Sequence, residues 1–262
     1  MSEYALRLDA GEVARYRMMA EAARGAEAAE WAAAGIGPGA RVADVGCGPG
    51  AVLTLLAKAV GAEGRAVGVD AEPSTVAHAA GEVAGLPQAE VREGRAEATG
   101  LDPGSFDVVM CRHVLAHNGP REAEIVAHLA GLARPGGTVY LVDVDLTAAR
   151  FVPTDTGFDL IDRYREFHAA QGNDLQVGVR LGALLEGAGL TVEAFRCSND
   201  VMRLPPGMRP PVWAARHAML AAGVITEADV ARWEAAFVDL DAMLPRPWVF
   251  IPVFVAIGRR PD

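Results

Sequence analysis

The chain contains 262 residues, of which 51% are apolar, and it carries a formal charge of −10 at pH 7. This length and apolar content allow one sizeable α/β domain with an insertion or a small cap. The acidic balance argues against nucleic acid or an anionic membrane as a partner, because binding phosphates requires a basic face.

The cysteines and the apolar runs bear on the cellular compartment. Cys47, Cys111 and Cys197 show neither a C-x-x-C pair nor the spacing of a metal site, which favours reduced thiols. The longest apolar run, residues 248–257, is too short to span a bilayer, and the first ten residues do not resemble a signal peptide. We therefore expect a soluble, cytoplasmic protein without a bound metal.

The N-terminal region is predicted to be helical. Residues 11–31 are rich in Ala, Glu, Arg and Met, and apolar side chains recur there at helical spacing. Residues 35–39 contain three glycines and a proline, which end the helical region and turn the chain toward its first strand.

Residues 41–50, Arg-Val-Ala-Asp-Val-Gly-Cys-Gly-Pro-Gly, organise the rest of the chain. An apolar run breaks into three glycines and a helix-like segment follows, the pattern of a buried parallel strand that enters a tight turn. Glycines let a ligand lie against bare backbone, and a helix N terminus attracts polar or anionic groups. Asp44 would repel a pyrophosphate and suits a cationic ligand, which weighs against the dinucleotide pattern that the same glycines satisfy.

Strands and helices alternate over the next hundred residues. We predict strands at 65–70, 89–94, 105–113 and 138–144, with helices at 51–60, 74–84 and 121–133. Asp70 ends the second strand, where a carboxylate can accept hydrogen bonds from both hydroxyls of a ribose.

The second half of the chain interrupts this alternation at residues 151–174. A helix is predicted from 158 to 170, with Ile161, Tyr164 and His168 on one face. Further helices are predicted at 177–189, 211–222 and 226–244, and strands at 190–196 and 253–257. The last helix opens with Thr226 and Asp229, spaced as in a capping box.

Four motifs in this order resemble those of the class I S-adenosylmethionine-dependent methyltransferases of the small-molecule or natural-product type. They are the run VADVGCGPG, the strand-end Asp70, the run SFDVVMCRH and the run LARPGGTVYLVD. The resemblance implies a single domain over residues 1–262, a doubly wound α/β fold with a mostly parallel sheet of seven strands. The last strand would be antiparallel and lie beside the fifth. An N-terminal helical segment, residues 1–34, would cover the cofactor site, and residues 151–176 would form a lid.

The same resemblance implies S-adenosylmethionine as the cofactor and assigns residues to it. The expected contacts are Arg17, Asp44, Gly46, Cys47, Gly48, Asp70, Ala71, Ala96, Glu97 and Cys111. Arg95 departs from the family, which usually has an aspartate there that accepts from the adenine amino group. Adenine recognition is therefore expected to depend on the Ala96 backbone, on Glu97 or on apolar packing.

Methyl transfer depends mainly on alignment, because the cofactor supplies the reactivity. A nucleophile that loses a proton also needs a base, and histidine is the natural choice near neutral pH. The candidate catalytic residues are Tyr16, His113 and His168, with His168 expected to take or relay the proton and Tyr16 to orient the acceptor. The sequence leaves open whether His113 and His117 serve the site or the fold, and whether His168 is only a packing residue.

The main interpretation is a methyltransferase that acts on an N, O or C atom of a small molecule in quinone-type or natural-product biosynthesis. A second interpretation is a protein that binds the cofactor without catalysis, as a sensor or scaffold. A nicotinamide-dependent oxidoreductase is the weakest alternative, because it has no use for the last two motifs in this form. No nucleic-acid or membrane partner is expected, a homodimer is allowed for, and no motif identifies the acceptor.

Overall fold

The computed structural model of the protein describes residues 10–152, 159–198 and 201–262. The strands are β1 (Arg41–Val45), β2 (Arg65–Asp70), β3 (Ala89–Glu93), β4 (Phe106–Arg112), β5 (Ala133–Val144), β6 (Arg150–Val152), β7 (Thr191–Ser198), β8 (Met202–Arg203), β9 (Trp248–Phe250) and β10 (Val253–Arg259). The α-helices are α1 (Ala10–Ala26), α2 (Ala28–Ala34), α3 (Ala51–Val60), α4 (Pro73–Val83), α5 (Glu122–Leu132), α6 (Leu160–Ala170), α7 (Leu181–Gly187), α8 (Pro211–Ala214), α9 (Arg216–Ala221) and α10 (Glu227–Ala242). Short 3-10 helices span Leu115–His117, Gly119–Arg121 and Val177–Arg180.

Seven strands form the central sheet in the order β3-β2-β1-β4-β5-β10-β7. Strands β1 to β5 pair in parallel, whereas β10 is antiparallel to both β5 and β7. This is the predicted fold, a mostly parallel sheet whose last strand is inserted beside the fifth. The strand order reverses between β1 and β4, so the carboxyl ends of these two strands open the crevice in which such sheets bind ligands.

The core covers both faces of this sheet, because alternate side chains of a buried strand point in opposite directions. On β4, Val108 and Met110 face one apolar cluster, and Val109 and Cys111 face the other. The first cluster includes buried side chains of α2 and α3. The second includes α5, α6, α7 and α10. Burial on both faces makes the sheet a rigid support for the loops at its carboxyl edge.

The predicted helices and strands agree with the structure over most of their length, and the differences are local. The helix predicted at 211–222 is two short helices, α8 and α9, and the one predicted at 177–189 begins as a 3-10 turn. The capping box of α10 is confirmed, since the Thr226 side chain accepts from the Asp229 backbone and the Asp229 carboxylate accepts from the Thr226 N–H. The sequence did not predict the small sheet β6-β9-β8.

The two segments expected to cover the site lie partly outside the described residues, which exclude 1–9 and 153–158. Within the described part, α1 packs against α3, and α6 packs against α8. None of the described helices is both long and apolar enough to cross a membrane.

Candidate active site

The turn after β1 is shaped by its glycines. Gly46, Gly48 and Gly50 all have positive φ angles, of 77°, 53° and 87°, a region that other residues rarely adopt. The N–H groups of Gly46 and Cys47 both donate to Val69 O, at 2.7 and 3.0 Å. A Cβ added at Gly46 would overlap the Val114 side chain. The glycine at this position is therefore required by the fold as well as by any ligand.

Asp70 braces this turn from the end of β2. Its carboxylate accepts from Gly48 N at 2.9 Å and from Glu72 N at 3.1 Å. Burial raises the pKa of Asp70, and hydrogen bonds from these backbone N–H groups oppose the rise. Because each carboxylate oxygen can accept more than one hydrogen bond, Asp70 keeps capacity for ribose hydroxyls beside the glycine backbone.

Asp44 is a buried acid with one carboxylate oxygen that no described group bonds. It is 2% exposed, and within the described chain its Oδ2 has no partner. Burial raises the pKa of Asp44 to about 7, while the positive charge of Arg112 opposes the rise and Asp70 adds to it. An unpaired buried carboxylate is costly, and a cationic ligand group would remove that cost.

Arg112, whose positive charge opposes the rise in the pKa of Asp44, is already paired with another acid. Arg112, at the end of β4, forms a two-pronged ion pair with Glu27, in which Arg112 Nη2 lies 3.0 Å from Glu27 Oε1. The Tyr140 hydroxyl donates to Glu27 Oε2 at 2.7 Å. Glu27 lies between α1 and α2, so the N-terminal helices hold Arg112 in a pair that leaves Asp44 Oδ2 unbonded.

These features fit S-adenosylmethionine. The cofactor carries an ammonium and a sulfonium, which suit the unpaired Asp44 carboxylate, and a ribose, which suits Asp70. The remaining predicted contacts lie along the same edge but are less well defined. Ala71 is exposed beside Asp70, and Ala96 is half-buried against the core. Glu97 accepts from both Arg95 and Arg121, which leaves it charged and braced after β3.

Cys47, Cys111 and Arg17 are predicted cofactor contacts whose surroundings do not by themselves indicate a ligand. Cys47 and Cys111 are buried, and burial raises the pKa of both thiols, so they are not thiolates at neutral pH. The Arg17 side chain is 59% exposed and pairs with Glu82 of α4 at 2.6 Å, an interaction between α1 and the helix that follows β2. The roles assigned to these residues toward the cofactor stay predictions.

Helix α1 brings Tyr16 to the glycine turn. A Cβ added at Gly48 would lie 3.9 Å from Tyr16 Cε1. The Arg15 guanidinium stacks on the Tyr16 ring at 4.7 Å. Burial raises the pKa of Tyr164 on α6, the charges of Tyr16 and Asp143 add to the rise, and the charge of Arg15 opposes it. Because Arg15 and Tyr16 belong to α1, this influence shows that α1 and α6 lie close together here. The structure thus brings Tyr16 near both the glycine turn and α6.

Three of the histidines gather around this point. His113 has a φ of 54°, a strained value for this residue type, and its N–H donates to Val142 O at 2.8 Å. The 3-10 turn that carries His117 is held by Asp143, which accepts from Ala116 N at 3.1 Å. The His117 and His168 rings lie 4.9 Å apart between centroids.

All three of these histidines are neutral near pH 7. Burial lowers the pKa of His113 to about 3, with Arg112, His117 and Arg15 acting in the same direction. Burial lowers the pKa of His117 to about 4, and burial together with His117 lowers that of His168 to about 3. Tyr16, His113 and His168 lie in one region, and the catalytic roles assigned to them stay predictions.

Sequence reasoning missed several residues that shape this site. Asn173 Nδ2 lies 2.9 Å from His168 Nδ1 and orients that ring. Asp143, Glu27 and Arg112 are the other omissions. For Asp143 and Arg112 the sequence did offer one signal of a role in the site, because each is a charged residue near the end of a predicted buried strand.

Comparisons with known proteins agree with this geometry. A family model described as a methyltransferase domain matches residues 42–137. A ubiquinone biosynthesis O-methyltransferase of Xylella fastidiosa is 32% identical over 184 residues, which cover 70% of each chain. For three other curated relatives the matched region spans 31%, 64% and 52% of their length, so the chain covers less than two thirds of each.

Solved structures show the same fold. A candidate methyltransferase of Bacillus halodurans superposes with a TM-score of 0.59 at 20% identity, over 90% of this chain and 98% of that one. An S-adenosylmethionine-dependent methyltransferase of Aquifex aeolicus gives a TM-score of 0.52 at 20% identity, over 72% and 92%. The 32% identity to the Xylella fastidiosa enzyme, the match to the methyltransferase family model and this shared fold together show that the chain belongs to the class I S-adenosylmethionine-dependent methyltransferases.

Proposed function

We propose that this protein transfers the methyl group of S-adenosylmethionine to an oxygen atom of a small molecule, in quinone-type or natural-product biosynthesis. The observation that carries the proposal is the pairing of two sites at one edge of the sheet. One is the glycine turn with its unpartnered Asp44 and the braced Asp70. The other is a cluster of the half-buried Tyr16 with the buried Tyr164 and His168. Oxygen is favoured over nitrogen or carbon because curated relatives from Xanthomonas and Xylella are named as O-methyltransferases.

The residues of the first site would bind and orient the cofactor. Asp44 would pair with its cationic end, and Asp70 would accept from its ribose while holding the Gly48 N–H. Ala71, Ala96 and Glu97 would lie along the adenine. The cofactor supplies an electrophilic methyl group, so the protein's own contribution is alignment and exclusion of water.

The residues of the second site would receive the acceptor. Tyr16 would orient it from α1, and His168 would contact its oxygen from α6. We propose that residues 1–34 and 151–176 close over this region, which keeps water from the methyl group. A small molecule fits such an enclosed position, whereas nucleic acid or a membrane surface does not suit the acidic chain, and a homodimer remains compatible with the proposal.

The experiment that tests the proposal separates binding from catalysis. Titration calorimetry should show binding of S-adenosylmethionine and none of NAD. Release of S-adenosylhomocysteine should then depend on adding an acceptor from a panel of phenols, catechols and hydroxyquinones. Binding without turnover on any acceptor would favour a cofactor sensor or scaffold, and binding of NAD alone would contradict the proposal outright.

A further inference from the structure

His168 is a buried side chain with one nitrogen bonded and one nitrogen unbonded. The residue is 3% exposed. Its Nδ1 lies 2.9 Å from Asn173 Nδ2. Its Nε2 is buried and has no hydrogen-bond partner within the described chain. A buried polar atom left without a partner at the mouth of a ligand site points to a group on the ligand.

The contact with Asn173 decides which nitrogen carries the proton. The side-chain NH₂ of asparagine can only donate, so Nδ1 must accept. The neutral ring then carries its proton on Nε2, which becomes a donor and has no lone pair to offer as a base. A base at Nε2 would need the proton on Nδ1, with an acceptor facing it.

The loop that carries Asn173 is fixed by contacts on both sides. Asn173 N donates to His168 O at 3.0 Å. The next residue, Asp174, pairs with Arg180 at 2.6 Å, and the same Arg180 nitrogen reaches Glu122 at 2.7 Å. A Cβ added at Gly119 would lie 2.7 Å from Gly172 O, so the loop also packs closely on the turn before α5. Asn173 is thus built into the fold as the partner of His168.

Aromatic rings surround His168. The Tyr164, His117 and Phe167 rings have centroids 4.3, 4.9 and 5.1 Å from that of His168. Such a wall favours a flat aromatic ligand.

The charged and titratable groups near this wall are few among the described residues. Tyr164 lies on the same helix, His117 on the facing 3-10 turn, and Asp143 at the end of β5. Arg15 and Tyr16 approach from α1. Asp143 is already bonded to the N–H groups of Ala116 and Val144. Arg15 therefore supplies a positive charge that favours an anionic ligand at this wall.

We propose that His168 donates its Nε2–H to the oxygen of an aromatic acceptor with an acidic hydroxyl, which binds as its oxyanion. The inference rests on the proposed function and changes the role that the sequence suggested for His168 from base to donor. An oxyanion forms the new oxygen–carbon bond with an electron pair that it already holds. The carbon–sulfur bond breaks with its pair going to sulfur, so no proton remains to be removed. Asn173 is the positioning residue that fixes the donor tautomer.

The first test is ¹⁵N NMR of the histidine ring nitrogens in the cofactor-free protein. We expect His168, assigned from the signals missing in His168→Gln, to show a protonated Nε2 and an unprotonated Nδ1. The variant Asn173→Asp places an acceptor against Nδ1 and should reverse this pattern and raise the pH at which the ring titrates. A protonated Nδ1 in the unaltered protein would overturn the proposal, whether or not the protein transfers methyl groups.

The second test uses 4-nitrophenol as the probe, because its oxyanion absorbs at a wavelength that the neutral phenol does not. With S-adenosylhomocysteine bound, we expect the acid strength of the bound probe to rise about tenfold or more. This rise in acid strength should vanish in His168→Phe and persist in part in His168→Gln, because the glutamine amide can donate a hydrogen bond. It should be unchanged in the control His217→Phe, which alters an exposed histidine. Failure of the probe to bind, or an equal rise in His168→Phe, would overturn the assigned acceptor. Failure of S-adenosylhomocysteine to bind would instead refute the proposed function.

Discussion

Replacing Asp70 with alanine should weaken cofactor binding far more than it weakens the fold. The change removes the acceptor for Gly48 N–H and Glu72 N–H, and with it the oxygens available to a ribose. A hydrogen bond to a charged group contributes about 1.5–3 kcal/mol, so losing one such bond to the cofactor should reduce affinity about 10- to 150-fold. Because the Gly48 contact also shapes the turn, we expect a loss toward the upper end.

The effect of Asp70→Ala on stability should be smaller, because Asp70 is half-buried and water can replace part of what it loses. A cost of about 1 kcal/mol would lower the melting temperature by about 2–4 °C for a chain of this size. Affinity for S-adenosylmethionine is measured by calorimetry and the melting temperature by circular dichroism. The matched control is Glu72→Ala, which removes a carboxylate two residues away that accepts from Ser74. Equal affinity in Asp70→Ala and Glu72→Ala would refute the assignment of Asp70 to the cofactor.

Three further predictions concern stability, each measured by urea unfolding. Burial raises the pKa of Asp44 from 3.8 to about 7, so folding stability falls as the pH rises between these two values, and Asp44→Asn should lose less stability between about pH 4 and pH 7. Gly46→Ala should lower the free energy of unfolding by more than about 2 kcal/mol, because Gly46 has a positive φ and an added Cβ would overlap Val114. Adding Val114→Ala should restore part of this loss, and no recovery would mean that the overlap is harmless. Glu27→Gln should lower the free energy of unfolding by about 3–5 kcal/mol, because it leaves Arg112 buried and unpaired. Adding Arg112→Met should reduce this loss, whereas additive losses in the double variant would mean that the two residues are not coupled.

The cofactor side of the site could be predicted from sequence because its determinants are local. The bounds of β2 match the prediction residue for residue, and β1 lies in the apolar run predicted before the glycine turn. Each is an apolar run that is closed by an acid or followed by a glycine. Buried parallel strands are apolar along their length because both of their faces are covered. Asp44 and Asp70 lie at fixed offsets from the glycine turn. Their places therefore follow once the strands are recognised.

The acceptor side could not be predicted in the same way, because its contacts join distant segments. Tyr140 looks like an ordinary strand residue, yet its hydroxyl bonds Glu27, which lies 113 positions earlier. Asn173 follows α6 in a loop without periodicity, and nothing local shows that its amide faces His168. Helical periodicity placed Tyr164 and His168 on one face but did not indicate which neighbour that face would meet.

Asp44 Oδ2 and His168 Nε2 both lack a hydrogen-bond partner among the described residues, and they are opposite in chemical character. Asp44, Asp70 and Asp143 lie near the carboxyl ends of their strands, and backbone N–H groups bond Asp70 and Asp143. Asp44 Oδ2 has no such partner in the described chain, and a buried carboxylate of this kind calls for a cation. Across the site, His168 presents a buried nitrogen that, as a donor, calls for an electron-rich oxygen. In the proposed reaction the sulfonium and the oxyanion lose their charges together, whereas the ammonium of S-adenosylhomocysteine keeps its charge. The site therefore weakens its hold on the methylated product at His168, while Asp44 can still pair with the ammonium of the spent cofactor.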